Sequence, residues 1–322
     1  MFATNPPRLP AAEEITATLR ALYEKYLPLR EGTLASYIPE LSKANPDHFG
    51  ISVATVDGKV YEAGDAGIAI TLQSVSKPFV YGMALEDLGP AAVHEQVGME
   101  PTGEAFNSII ELEKESHRPY NPMINAGALA VTNLITGTSP SDKLGRILKL
   151  FSRYAGHPVH LDGSVFVSER FSGHRNRAIA HLLRHFGRMG PDLDENLDLY
   201  FQQCSILFST RDMALMAATL ANGGVQPQTG DRVLARSNLR PMLSLMFTCG
   251  MYDSSGEWAF HVGLPAKSGV SGGILAVVPG QMGIAVTSPL LDGCGHSVRG
   301  HAVFRELAQK WNLSLFDIGG EK

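Results

Sequence analysis

The sequence predicts an α/β fold in which strands from the two ends of the chain form one mainly antiparallel sheet and the middle of the chain supplies an inserted lobe of helices. Three observations predict it: a hairpin signature at 49–62, a second at 273–286, and between them a long stretch that reads mainly as helix. Taken in order, 11–26 forms a helix, because Ile15, Leu19, Leu22 and Tyr26 fall on one face, and Pro28 ends it. The runs 49–56 and 59–62 are β-rich and joined through Asp57-Gly58, a strong tight-turn pair. Helices are expected over 123–135, 141–154, 176–186 and 210–220, the last with Thr210 and Asp212 as its cap. The runs 273–278 and 282–286 flank Pro279-Gly280 and are apolar almost throughout, as central strands are. A helix over about 298–311 closes the chain. No linker of low complexity and no repeat interrupts it, so 1–322 is expected to be one domain. Its α/β lobe would come from about 1–73 and 246–322, and its helical lobe from about 74–245.

Composition narrows the class. A chain of 322 residues with 44% hydrophobic and 18% charged residues can bury a large core. Its mean hydropathy of -0.01 fits neither a disordered chain nor a membrane bundle. The net charge of -5, with Lys and Arg scattered, offers nothing to nucleic acid. No long uninterrupted apolar run points to a membrane. The first ten residues lack a positive segment followed by an apolar one, so a cytoplasmic location is expected. Cys204, Cys249 and Cys294 form no CxxC pair and read as reduced thiols. His181 and His185 share a helix face without an intervening HExxH glutamate, and no other histidine pattern emerges. No metal or cofactor is expected.

The chemistry points to Gln73-Ser74-Val75-Ser76-Lys77. At i and i+3 in a first helical turn, Ser74 and Lys77 share a face. A serine hydroxyl becomes a nucleophile when a neighbouring base takes its proton, and a desolvated lysine is such a base. The helix N-terminus adds free N–H groups for a developing oxyanion, and Pro78 is tolerated that early. Alone, S-x-x-K also fits a capping serine beside a solvated lysine. Lys267-Ser268-Gly269, ahead of the strand at 273–278, changes the weight. It stands where serine β-lactamases and penicillin-binding proteins carry a K-[ST]-G strand beside the serine. The N–H groups of Ser74 and Val270 would then form the oxyanion hole.

Further blocks follow in a characteristic order: Leu34-Ala35-Ser36-Tyr37-Ile38-Pro39, Tyr120-Asn121-Pro122-Met123-Ile124-Asn125-Ala126-Gly127-Ala128, Ser168-Glu169, and Arg175-Asn176-Arg177-Ala178. Then come Tyr200-Phe201-Gln202-Gln203-Cys204-Ser205, Thr248-Cys249-Gly250-Met251-Tyr252-Asp253 and Gly263-Leu264-Pro265-Ala266-Lys267-Ser268-Gly269-Val270. With the Ser74 block, they span about 37–300, and the chain resembles the serine-dependent glutaminases (L-glutamine amidohydrolases) in their short bacterial form. The resemblance implies a β-lactamase/transpeptidase-like fold, hydrolysis of L-glutamine to L-glutamate and ammonia, and a homodimer or homotetramer. It also implies Ser74 as nucleophile, Lys77 as base and Tyr252 as proton relay. Tyr37, Asn125, Glu169, Asn176, Tyr200, Tyr252 and Val270 would contact substrate, with Tyr37 closing the pocket.

That set suits a free amino acid: an acid for the ammonium, and neutral donors for the carboxylate. Taken singly, Tyr200 and Tyr252 also fit core aromatics, Asn125 and Asn176 helix caps, and Glu169 a surface partner of Arg170. The chain departs from the family at Gly295-His296-Ser297-Val298, where Asn is usual in place of His296, a change expected to alter affinity or pH dependence. Ser271 replaces a smaller residue, a change expected to be neutral. Other readings are a β-lactamase or peptidase of the same fold, and a non-catalytic amino-acid sensor.

Overall fold

A computed structural model of the chain describes residues 9–103 and 117–317. Of the opening decapeptide, only Leu9 and Pro10 fall within it. Helix α1 (Ala12–Tyr26) precedes the hairpin of β1 (Gly50–Thr55) and β2 (Val60–Gly64), and a later hairpin joins β6 (Gly273–Val278) to β7 (Met282–Thr287). With β5 (Ala266–Ser268) these strands form, among the described residues, a five-stranded antiparallel sheet in the order β2-β1-β7-β6-β5. The two chain ends therefore meet at the β1–β7 ladder.

Every residue of β1, β6 and β7 is buried, because both faces of the sheet are covered. Ile51, Val53, Ile274, Ala276, Ile284 and Val286 pack with α1 and with α11 (Val298–Trp311) in one core. The alternate residues Ala54, Leu275, Val277 and Ala285 face a second core that includes Met213, Ala214, Ala217 and Ala218 of α8 (Thr210–Ala221). Small residues bring α8 onto the strands. A Cβ on Gly283 would stand 2.2 Å from the Ala218 nitrogen and 2.3 Å from the Ala214 oxygen.

The cap of α8 differs from expectation by one residue. Ser209, not Thr210, accepts from the Asp212 N–H, and the Asp212 side chain accepts from the Ser209 N–H in return. Thr210 is buried instead, with its hydroxyl 2.6 Å from that of Thr287 on β7.

The remaining helices are α2 (Lys77–Gln96), α3 (Asn125–Asn133), α4 (Pro140–Ala155), α5 (Gly163–Ser172), α6 (His174–His185), α7 (Leu193–Cys204), α9 (Arg236–Cys249) and α10 (Ser255–His261). A break at Gly89, ahead of Pro90, interrupts α2. A feature absent from the sequence pattern positions the site. The two-residue strands β3 (Ile70–Thr71) and β4 (Leu207–Phe208) pair, and the Leu72 N–H donates to the Ile206 carbonyl at 2.8 Å. This ladder anchors the chain entering the Ser74 turn to the segment leaving α7.

The close approach of α8 predicts that Gly283→Ala forces helix and sheet apart. A loss of about 3 kcal/mol is expected, seen as a lower denaturant midpoint, whereas an unchanged midpoint would contradict this packing.

Candidate active site

A short 3-10 turn, Gln73–Ser76, leads into α2 and carries Ser74, which is 8% exposed. Several contacts over-determine this turn. Gln73 adopts a left-handed backbone (φ 49°), costly for a residue with a side chain. The Ser76 hydroxyl donates to the Gln73 carbonyl at 2.7 Å and accepts from Gln203 Nε2 at 2.9 Å. Just past β5, Gly269 abuts the turn so closely that a Cβ there would lie 2.8 Å from the Leu72 oxygen. The Lys267-Ser268-Gly269 segment and the serine turn are therefore direct neighbours.

Lys77, one turn on, is fully buried, and its Nζ donates to Asn125 Oδ1 at 2.7 Å. Asn125 at the start of α3 donates through Nδ2 to Asn176 Oδ1 of α6 at 2.9 Å, and the Tyr200 hydroxyl of α7 reaches Asn125 Oδ1 at 3.5 Å. Three helices thus hold one acceptor on the lysine. Burial lowers the Lys77 pKa to about 7, although the neighbouring Cys204 and Glu169 pull it upward. A large share of Lys77 is a neutral amine at neutral pH.

Tyr252 follows α9 in a left-handed conformation (φ 52°) and is buried. Burial raises its pKa, while a hydrogen bond with Ser74 works in the opposite direction. Lys267 Nζ lies 3.8 Å from the centre of the Tyr252 ring, and Lys77 Nζ lies 5.5 Å from it. The Gly250 and Ser268 carbonyls hold Lys267, each at 2.8 Å. Burial, and then the nearby Lys77 charge, push the Lys267 pKa well down.

Glu169, on α5, is buried and accepts a hydrogen bond from the Tyr37 hydroxyl. Burial raises its pKa to about 7, against the lowering effects of Tyr37, Gln73 and Lys77. Its Oε1 has no hydrogen-bond partner of normal geometry among the described residues. Tyr37 is 41% exposed overall, yet its hydroxyl end is enclosed beside Glu169. Tyr37 and Val270 line a cleft of about 330 Å³ together with Leu34, Asp253 and Asp292, while the deeper residues do not line it.

The single-residue alternatives are not met for Glu169, Asn125 and Asn176, whereas Tyr200 does pack in a hydrophobic core with Leu197 and Phe201. Glu169 does not pair with Arg170, which bonds Asp198 at 3.0 Å. Neither Asn125 nor Asn176 caps a helix, since Ile124 and Gly173 occupy those positions. The sequence places Lys267 on the strand beside the serine without a role of its own and gives Gln203 and Cys204 no place in the site, although each lies in a quoted block. Among the described residues, no three His, Cys, Asp or Glu side chains are placed to hold a metal ion.

The glutaminase family model matches residues 32–316. The chain belongs to the glutaminase family. It is 56% identical over 303 residues to a glutaminase of Trichormus variabilis, covering 94% of this chain and 90% of that protein. It is 57% identical over 296 residues to a glutaminase of a Nostoc species, covering 92% and 88%. Among solved structures, a probable glutaminase ybaS superimposes with a TM-score of 0.93 at 42% identity, over 96% of this chain and all 100% of that one. Mglu in its glutamate form gives a TM-score of 0.91 at 44% identity, over 96% and 71%. The fold of this glutaminase-family hydrolase is the β-lactamase-like fold, with an antiparallel sheet flanked by helices.

The Tyr37 contact predicts that Tyr37→Phe raises the pKa of Glu169 by about one pH unit, the worth of one hydrogen bond to a charged acceptor. A carboxyl titration by 13C NMR checks this, and an unchanged curve would show the bond to be without effect.

Proposed function

We propose that this protein hydrolyses the side-chain amide of L-glutamine to L-glutamate and ammonia through an acyl-enzyme on Ser74, with Lys77 as the base. The observation that carries the reading is the buried Lys77 amine, one turn from Ser74, bonded to a neutral acceptor and with its pKa lowered to about 7. A base of that pKa is well matched to proton transfer near neutrality.

In the first step, Lys77 Nζ takes the Ser74 proton as Oγ bonds to the amide carbon, and the carbonyl oxygen takes the negative charge. The N–H groups of Ser74 and Val270 are the proposed donors to that oxyanion. The tetrahedral centre then collapses, the carbon–nitrogen bond breaks, and the leaving nitrogen receives the proton from Lys77, directly or through the Tyr252 hydroxyl. A water molecule repeats the sequence on the γ-glutamyl ester, releasing glutamate and returning Ser74 to its resting state.

Glu169 would pair with the substrate ammonium, and Asn125, Asn176 and Tyr200 would hold its carboxylate. Support for an amino-acid pocket comes from the buried Glu169 Oε1, which lacks a hydrogen-bond partner of normal geometry among the described residues, and from the relative Mglu having a glutamate form. Tyr37 would close the entrance. The resemblance further leads us to propose a cytoplasmic homodimer or homotetramer. Among the described residues, no helix is long and apolar enough to cross a membrane.

Acid quenching during turnover with glutamine should leave a γ-glutamyl adduct on the Ser74 peptide, detected by mass spectrometry. Ser74→Ala should lose both the adduct and at least about 10³-fold in kcat. Ammonia release by that variant at the wild-type rate would end the acyl-enzyme reading.

The pH dependence follows from two groups. Lys77, lowered from 10.5 to about 7, is a useless ammonium below that pH, and Glu169, raised from 4.5 to about 7, is a neutral acid there. Both losses fall on the acid side. The plot of log kcat/KM against pH should therefore rise with a slope approaching about 2 below neutrality, and Glu169→Gln should reduce it to about 1. A flat profile from pH 5 to 8 would contradict both assignments, that window being about two units below and one above the transition.

A further inference from the structure

Beside Tyr252 lies a buried file of rings that the reaction above does not use. His296 stacks against Tyr252 with ring centres 5.9 Å apart and planes 15° apart, and against His301 at 5.3 Å and 19°. His301 meets Trp258 edge-on at 5.3 Å. His296 is fully buried; its ring makes no side-chain hydrogen bond of normal geometry among the described residues, and its one hydrogen-bonding contact is with the Met251 backbone. A buried imidazole with only a backbone contact gives up most of its bonds to water, a cost that an apolar side chain of similar size would avoid.

The backbone that presents this ring is firmly held. The His296 N–H donates to Asp292 Oδ1 at 2.9 Å, and the Asp292 N–H donates to the His296 carbonyl at 2.9 Å. Tyr252, by contrast, stands on a left-handed backbone, so contacts with its ring must keep the hydroxyl in place.

We propose that His296 is a positioning residue, whose ring steadies the Tyr252 ring so that the phenol hydroxyl stays on Ser74. This deepens the reading above and rests on the Tyr252 relay. The groups facing His296 are His301 from α11, Lys267 from β5, Tyr252, and Asp292 from its own loop. Burial first, and then His301, push its pKa down to about 3 even though Asp292 draws it upward. The ring stays uncharged across the neutral range and adds no positive charge beside the Lys77 and Lys267 amines. In this proposal the contribution of His296 is one of shape and not of titration near neutrality.

A double-mutant cycle on kcat for glutamine tests the proposal. His296→Ala should lower kcat about tenfold with KM changed less than about twofold, and in a Tyr252→Phe background it should cost less than about twofold more. An equal fold-loss in both backgrounds, or a loss carried by KM, would overturn the inference while leaving the relay intact. Full kcat in Tyr252→Phe alone would remove the relay and this inference with it. Should the alanine protein fail to fold, His296→Leu fills the same space without a flat ring and is read by the same cycle.

Discussion

Burying the Lys77 ammonium with no carboxylate in contact would be costly, because the interior cannot replace its hydration, and the amine reduces that cost by releasing its proton. Much of the surrounding architecture serves to keep that amine dry and aimed. Asn125 offers Oδ1 to it only because Nδ2 is committed to Asn176, which fixes the amide's orientation. The turn carrying Ser74 is locked from three directions: Gln203 through Ser76, Gly269 against Leu72, and the β3–β4 ladder ahead of it. With those restraints in place, a strained φ at Gln73 persists and Ser74 is held on a fixed turn.

A second buried ionisable group completes the electrostatics. Burial moves the Glu169 pKa upward and the Lys77 pKa downward, and the two meet near 7 from opposite sides. In the proposed reaction, a substrate ammonium against Glu169 keeps that carboxylate ionised. The same positive charge, held in a water-poor pocket, opposes protonation of Lys77. Substrate binding would thus hold both groups in their working forms. In the same proposal, the half-exposed Tyr37 would limit the entry of water that otherwise weakens these effects.

How far the sequence revealed this arrangement depended on the range of each signal. The terminal helices and both hairpins follow from periodicity and turn residues a few positions apart, and α11 spans Val298–Trp311 as its pattern implies. The two-residue strands β3 and β4 have no room for a periodicity and stayed hidden. Ser209 was passed over as a cap because Thr210 is chemically just as able, and only the buried contact of Thr210 with Thr287 separates them. In the site, the Ser74–Lys77 spacing is local and legible. Glu169 beside Arg170 invites a pairing that helix geometry forbids, since adjacent residues point apart. The approach of Lys267 to Tyr252 is non-local, and the positive φ values of Gln73 and Tyr252 carry no glycine to announce them.

The state of one nitrogen decides most between this account and a conventional charged lysine. Selective 15N labelling of lysine and an NMR titration of the Lys77 Nζ, assigned by its loss in Lys77→Arg, measures it directly. The account predicts a midpoint near 7, with a neutral amine above it. A resonance that keeps the shift of an ammonium up to about pH 10, as an ordinary lysine does, would contradict it.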